Sequence, residues 1–264
     1  MKGLLVFLFL VGAAFAQTPV VSPGGVLNSA SFDKTAPVAP GSLISIFGSS
    51  LASATAVADS VPLSTTLDNV SVTINGVAAP IHDISHQASF DQLNVQLPFD
   101  TLPGTAQLVV TNNHQSSAST AIQVGPFSPG IFAFNAASGQ QIAIAINNAD
   151  ASLAAPAGSI PGISTHPAKA GDVLIIYANG LGAVTPTIQD GQASTDTTRN
   201  TNTKPVVMVG GMQVDVLFSG LSTFVGVNQI NIQLPQGTPT GSAVPIQIQV
   251  GGMTSPNTAT IAVQ

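Results

Sequence analysis

The chain has 264 residues, of which 6% are charged, with no cysteine, no tryptophan and one tyrosine. All 11 acidic residues are aspartates, set against five lysines and arginines. This excludes a disulfide-stapled miniprotein, a zinc–thiolate site and a cysteine nucleophile. It also argues against nucleic-acid binding, since so few basic residues cannot form a phosphate-tracking stripe, and against helical bundles, which draw on Glu, Lys and Arg.

Met1-Lys2-Gly3, the apolar run Leu4 to Phe15 and the sequence Ala14-Phe15-Ala16 predict a signal peptide over residues 1–16, cut after Ala16. The run is shorter than the roughly 20 apolar residues that span a bilayer. The mature chain is therefore expected to be secreted, extracellular or at the cell surface, with no membrane span after cleavage. It keeps Lys34, Lys169, Arg199 and Lys204, so its surface must be largely Ser, Thr, Asn, Gln and Gly. Such a surface steers charged partners weakly.

Strand signals follow in order. Leu43 to Phe47 is a nearly continuous apolar run, suited to a central strand covered on both faces. Ala52 to Asp59 is at most a turn or two of helix. Val70, Val72 and Ile74 alternate with Ser71, Thr73 and Asn75, the period of a half-buried strand. Asn75-Gly76 then supplies the two positive-φ residues of a type I′ hairpin. His82-Asp83-Ile84-Ser85-His86 reads as a loop between strands. Gln92, Asn94 and Gln96 share one face of a strand and Leu93, Val95 and Leu97 the other. Pro103-Gly104 marks a turn, and a boundary is expected near Gly125 to Gly130.

The same pattern then returns in the same order. Ala170-Gly171-Asp172 to Tyr177 matches Pro40-Gly41-Ser42 to Phe47; Val207 to Met212 matches Val72 to Val77; Asn228 to Pro235 matches Asp91 to Pro98; and Thr260 to Val263 matches Ala121 to Val124. Gly210-Gly211 stands where Asn75-Gly76 stood, and Gln229, Asn231 and Gln233 repeat the amide row. Short strands at this spacing, punctuated by Gly and Pro, predict an all-β fold of two tandem immunoglobulin-like β-sandwiches, residues 17–126 and 127–264.

The Gly-x-x-Ile-x-Ile-x-Gly pattern, a strand ending in Asn-Gly-Val, and a closing strand after a Gly-containing turn resemble the IPT/TIG immunoglobulin-like domain. A closer resemblance is to the C-terminal module of the Solibacter type, frequent in exported proteins of Acidobacteria. It is carried by Val26 to Phe32, Ala39 to Ser42, Val70 to Pro80, Gln92 to Pro98, Pro129 to Phe132, Ala178 to Ala183, and Phe224-Val225-Gly226 leading into Gln229 to Pro235. The resemblance implies an extracellular pair of sandwiches with no established enzymatic activity. The stretch His82 to Phe90 departs from it, with extra polar residues.

No Gly-x-Ser-x-Gly nucleophile elbow and no phosphate-binding glycine loop occurs. His82, Asp83, His86 and Asp91 are sound ligand types, yet the matching stretch Val216 to Phe218 has no histidine, and a solvated loop is the preferred reading. Asn147-Asn148-Ala149-Asp150 lacks the ligand spacing of an EF-hand and reads as an Asn/Asp turn. No catalytic residue, cofactor or metal is expected. The most distinctive feature is the duplicated amide row, so Gln92, Asn94, Gln96, Gln229, Asn231 and Gln233 form the candidate binding face. The expected function is a non-enzymatic exported adhesion or scaffold module whose partner is an extracellular polysaccharide or a protein, a second copy of itself included. The alternatives are a self-assembling filament or surface-coat subunit, which weakly charged strand edges would permit, and a polysaccharide hydrolase working through aspartates. With its few carboxylates taken as exposed, the fold is expected to vary little in stability between mildly acidic and neutral pH.

Overall fold

The computed structural model describes residues 17–136, 138–256 and 259–264. The expected signal peptide lies outside them. Strand is the only regular structure among the described residues; the chain is rich in alanine, but its apolar residues alternate in short runs between Gly, Pro, Asn and Ser turns rather than recurring at a helical period.

The N-terminal half is built on β1 (Val20–Asn28), β2 (Leu43–Ser49), β3 (Val70–Ile74), β4 (Ile81–His86), β5 (Asp91–Gln96), β6 (Gly104–Asn112) and β7 (Thr120–Val124). One sheet runs β1-β2-β5-β4, with Ala56–Val57 at its edge; the other joins β3, β6 and β7. Val70, Val72 and Ile74 bury their side chains against Leu93, Val95, Ile44 and Ile46, and these form one continuous apolar core. Ala52 to Asp59 is not helical: it contains the edge strand Ala56–Val57, paired with Asp83 and Ile84.

The C-terminal half uses β8 (Ala145–Asn147), β9 (Val173–Asn179), β10 (Val206–Val209), β11 (Met212–Leu221), β12 (Asn228–Gln233), β13 (Gly241–Val250) and β14 (Ala259–Val263). Its sheets are β8-β9-β12-β11 and β10-β13-β14, around a second core containing Ile176, Ile230, Ile232, Ile246 and Ile248. β11 belongs to both sheets, pairing first with β10 and then with β12. A third, smaller apolar cluster of Ile142, Leu153 and Ala155 lies under the longer loops of this half. β9 is less covered than expected. Leu174 and Ile176 are buried, whereas Val173, Ile175 and Tyr177 are only half-buried on the outer face.

Both expected hairpins form. Asn75 and Gly76 have φ of 50° and 81°, and Gly210 and Gly211 have 60° and 82°, the two left-handed residues a type I′ turn requires. The correspondence between the halves extends to register. β5 lies between β2 and β4, and β12 between β9 and β11. A bulge falls between Ile81 and Asp83 in β4 and between Val216 and Phe218 in β11. Thus Asp83 and Phe218 occupy equivalent places, opposite Asn94 and Asn231 respectively.

Buried polar side chains recur at matching points because each satisfies a backbone group that the strands leave unpaired. Asn28 and Asn147 each accept an N–H two residues on, from Ala30 at 2.8 Å and Ala149 at 3.0 Å. Asp91 and Asn228 accept the N–H of Leu51 at 2.7 Å and of Leu181 at 3.2 Å. Ser117 and Ser255 accept Val110 N–H at 3.1 Å and Ile248 N–H at 3.0 Å.

The halves meet through a buried polar joint. Asn179 donates to Leu43 O at 2.7 Å and to Asn28 Oδ1 at 3.1 Å, and accepts from Leu43 N at 3.1 Å. Asn28 donates to Ser128 O at 2.6 Å. Gly191 N donates to Gln96 Oε1 at 2.6 Å, and Phe99 N to Asp190 Oδ1 at 2.9 Å. Burial pushes the Asp190 carboxyl above its ordinary pKa, while the Phe99 N–H draws it down and the nearby Asp100 charge adds to the rise. Gly180 is required at the joint: its φ is +72°, and a Cβ would overlap Ser128 O. The run Ala178 to Ala183 is therefore a joint-forming segment.

Candidate functional site

The duplicated amide row divides into two differently furnished faces. In the N-terminal half, Gln96 is not on an open face. It is 1% exposed, with its amide spent on Gly41 O and Gly191 N in the joint. The fold twists this end of β5 under the C-terminal half, so Gln96 is removed from the candidate binding face. Gln92 and Asn94 remain half-buried; the Asn94 amide is engaged at both ends, whereas Gln92 bonds through Nε2 and its Oε1 has no partner among the described residues. Asn94 Oδ1 accepts from Ser45 Oγ at 2.6 Å and Gln92 Nε2 at 2.9 Å, and Asn94 Nδ2 donates to both oxygens of Asp83, at 2.9 and 3.1 Å. Ser29 and His82 extend this ladder at its two ends. It crosses β1, β2, β5 and β4 with its hydrogen-bonding groups turned on one another.

In the C-terminal half the same positions carry different partners. Gln229 Nε2 donates to Asn231 Oδ1 at 2.8 Å. Ser45 is replaced by Ile175 and Asp83 by Phe218, so neither neighbour can bond the remaining amide atoms. Gln229 Oε1 and Asn231 Nδ2 have no side-chain or backbone partner among the described residues. Gln233 lies exposed beyond them and donates to Gly171 O at 3.4 Å. The Phe218 ring lies across Gly220, which has no Cβ to displace it. Tyr177 meets Phe224 edge-on at 5.8 Å.

Phe218, Gln229 and Asn231 floor an open groove of about 590 Å³. One wall is the Ser194–Thr198 segment and the other runs from Leu221 to Thr223. The first wall is pinned by Arg199. Its guanidinium is almost wholly buried and grips Asp196 with two bonds, at 2.6 and 3.1 Å, while also donating to Thr187 O and Ser194 Oγ. The hydrogen bond from Arg199 holds the Asp196 carboxyl down to about 2. The carboxylate and guanidinium cancel, and the groove's other polar groups are amides and hydroxyls.

The histidine stretch is not a loop: Ile81–His86 is strand β4. The polar residues obscure it because the bulge after Ile81 breaks its alternation. His82 and His86, four residues apart on a strand, stand about 13 Å apart, each bound to its own aspartate: His82 Nδ1 to Asp83 at 2.8 Å and His86 Nδ1 to Asp91 at 2.6 Å. Among the described residues no three His or Asp side chains converge as a metal site. Asn147 and Asp150 form Asn/Asp turns, each bonding an N–H two residues on.

Ser152, His166 and Asp150 come together, but without the order of a catalytic relay. Ser152 Oγ and Asp150 Oδ2 both meet the same imidazole nitrogen, Nε2, at 2.8 and 2.7 Å, and Nδ1 bonds Pro167 O. A nucleophile and an orienting acid must use opposite nitrogens. The Pro167 carbonyl, then Asp150, raises the His166 pKa. His82 is likewise raised by its bond to Asp83, against its burial. Asp91, with a side chain only 3% exposed, is paired with His86. The assumption of exposed, unpaired carboxylates therefore does not hold throughout.

Sequence reasoning missed Phe218 and Arg199. Phe218 could be found only by setting Val216 to Phe218 against Ile81 to Asp83 and asking what the loss of the aspartate leaves unpaired. Arg199 sits in a Thr/Asn-rich segment whose local pattern says only loop.

The fold is all-β and immunoglobulin-like. An IPT/TIG domain is found at residues 28–124. No curated protein matches the chain. Among solved structures it is similar to SGBP-B of the Bacteroides ovatus mixed-linkage glucan utilization locus, in complex with a mixed-linkage heptasaccharide. That match has 14% identity and a TM-score of 0.32, covering 86% of this chain and 43% of that one. The adhesin InvE of Yersinia pseudotuberculosis matches at 14% identity and a TM-score of 0.24, covering 93% of this chain and 58% of that one. Domains 5-6 of the S-layer protein SbsC match at 13% identity and a TM-score of 0.26, covering 93% and 98%. The chain thus spans about half the length of the first two. No helix among the described residues is long and apolar enough to cross a membrane.

Proposed function

We propose that the chain is an exported, non-enzymatic adhesion or scaffold module, made of two tandem copies of one immunoglobulin-like sandwich at residues 17–126 and 127–264. The shared register of β5 and β12, with a bulge at the same point in β4 and β11, supports the tandem reading. The observation that carries the functional reading is the contrast between the two faces. One has its central asparagine, Asn94, closed off by hydrogen bonds at both ends, and the other leaves the Asn231 amide nitrogen and an aromatic ring in an open groove. A polar joint that bonds backbone to side chain across the halves suits a module that holds this face at a fixed place.

The test is retention of the mature protein on washed envelope and extracellular matrix from its source cells. Retention that survives high salt is expected, because the face carries no net charge to screen. Loss of binding in salt, or no retention at all, contradicts the reading. So does turnover of any retained material.

A further inference from the structure

We infer that the groove over β12 is a subsite for a neutral, hydroxyl-rich saccharide, with Gln229 and Asn231 as its hydrogen-bonding pair and Phe218 as its apolar floor. This rests on the adhesion reading above and names the ligand class of that same face.

The first support is the divergence of two equivalent positions. Ser45 and Asp83 consume the hydrogen-bonding capacity of Asn94, while Ile175 and Phe218 consume none of that of Asn231. The divergence leaves the Asn231 Nδ2 donor free, beside the Gln229 Oε1 acceptor, on adjacent outward residues of a central strand; in the matching N-terminal pair only the Gln92 Oε1 acceptor is unpartnered among the described residues, with no free donor next to it. Exchanging oxygen and nitrogen in both amides would leave the same complement, so the conclusion does not depend on how the amides are turned. A sugar hydroxyl both donates and accepts, and neighbouring hydroxyls on a pyranose can answer the pair together.

The second support is the floor. A pyranose has an apolar C–H face bounded by hydroxyls, and the half-buried Phe218, opposite Asn231 in register with its ring across Gly220, lines the groove where it can receive that face. The groove's volume of about 590 Å³ falls within the range of small-ligand sites, which combine apolar surface with a few placed polar groups. The Ser194–Thr198 wall supplies further hydroxyls, and Arg199 fixes it from behind. A wall ordered beforehand lowers the cost of binding.

The third support is exclusion. An acidic or basic ligand finds no unpaired counter-charge, since Asp196 and Arg199 already satisfy each other. A purely apolar ligand would strand the two amide atoms. An extended peptide gains its affinity from main-chain bonds to a free sheet edge, but β12 is paired on both sides by β9 and β11.

Affinity electrophoresis of the mature chain tests this in gels containing dextran, galactomannan or hydroxyethylcellulose, with alginate as the acidic comparison. Retardation by at least one neutral polymer, insensitive to salt, is expected. Asn231→Ala and Gln229→Ala should each weaken it at least about fivefold. Phe218→Asp, which restores the aspartate found opposite Asn94, should satisfy Asn231 and abolish retardation. Leu102→Ala, on the surface of the N-terminal half, should leave it unchanged. Melting temperatures confirm that each variant is folded, and Asn231→Ala decides the matter if Phe218→Asp does not fold. No retardation by any neutral polymer overturns the saccharide assignment, as does retardation by alginate alone or retardation that persists in Asn231→Ala. If the wild type nonetheless stays bound to envelope material, the adhesion reading stands and only its ligand class falls; if it does not, both fall.

Discussion

Replacing Asn179 by alanine should loosen the joint between the halves by a calculable amount. Three hydrogen bonds disappear. Leu43 O keeps its bond from Ser29 N, and Asn28 Oδ1 keeps Ala30 N and Ser31 N. The group left wholly unpaired is Leu43 N–H, in a buried residue. Orphaning one buried amide costs about 1–3 kcal/mol, and the two lost bonds to still-satisfied acceptors add about 0.5–1.5 kcal/mol each. The total is about 2–6 kcal/mol. For a chain of this size each kcal/mol lowers Tm by roughly 2–4 °C, so a fall of about 4–24 °C is expected in a calorimetric scan. Asn231→Ala, on the half-open face, should move Tm by no more than about 2 °C. Equal Tm values for Asn179→Ala and the wild type would mean that Leu43 N–H has another partner and that Asn179 does not hold the joint.

Asp91→Asn should be milder than Asp91→Ala, by about 2 kcal/mol in urea unfolding, because the amide keeps an acceptor for Leu51 N–H as Asn228 does for Leu181 N–H. Gly180→Ala should prevent accumulation of soluble protein, since a Cβ meets Ser128 O; Gly76→Ala, with a left-handed φ but open space around it, should cost only about 1 kcal/mol. The raised pKa values of His82 and His166 mean that their contribution is complete below about pH 6.5 and is lost as pH rises through those values. Tm should therefore fall modestly between about pH 6 and pH 9, with a shallower fall in His82→Gln. A flat profile, or an unchanged slope in that variant, would contradict the pairing of His82 with Asp83.

The elements legible in the sequence are those where one physical signal acts alone. β3 shows clean alternation because one face is core and the other solvent, and Asn75-Gly76 declares its turn by backbone demand. β5 and β12 were legible as a repeated motif, since the inward residues Leu93, Val95, Ile230 and Ile232 carry the burial in both. β4 was hidden because its bulge shifts the alternation midway and its outward positions are polar. The joint was illegible for a different reason: Asn28 and Asn179 lie 151 residues apart and reveal their bond only once both halves of the chain are folded. The candidate face was half legible. Periodicity placed Gln96 beside Gln92 and Asn94, but only the packing of the second half shows it buried. Likewise the exchange of Asp83 for Phe218 is visible in an alignment, whereas its consequence for Asn231 needs the cross-strand register.

The difference between these two equivalent faces is tested most directly by solution NMR of the side-chain amides, following their exchange with water and their shifts as a retarding neutral polysaccharide fragment is added. The Asn94 amide should exchange slowly and stay in place, while that of Asn231 exchanges quickly and moves on titration together with Gln229. Matching exchange rates for Asn94 and Asn231, or shifts that appear at Asn94 and not at Asn231, would contradict the account.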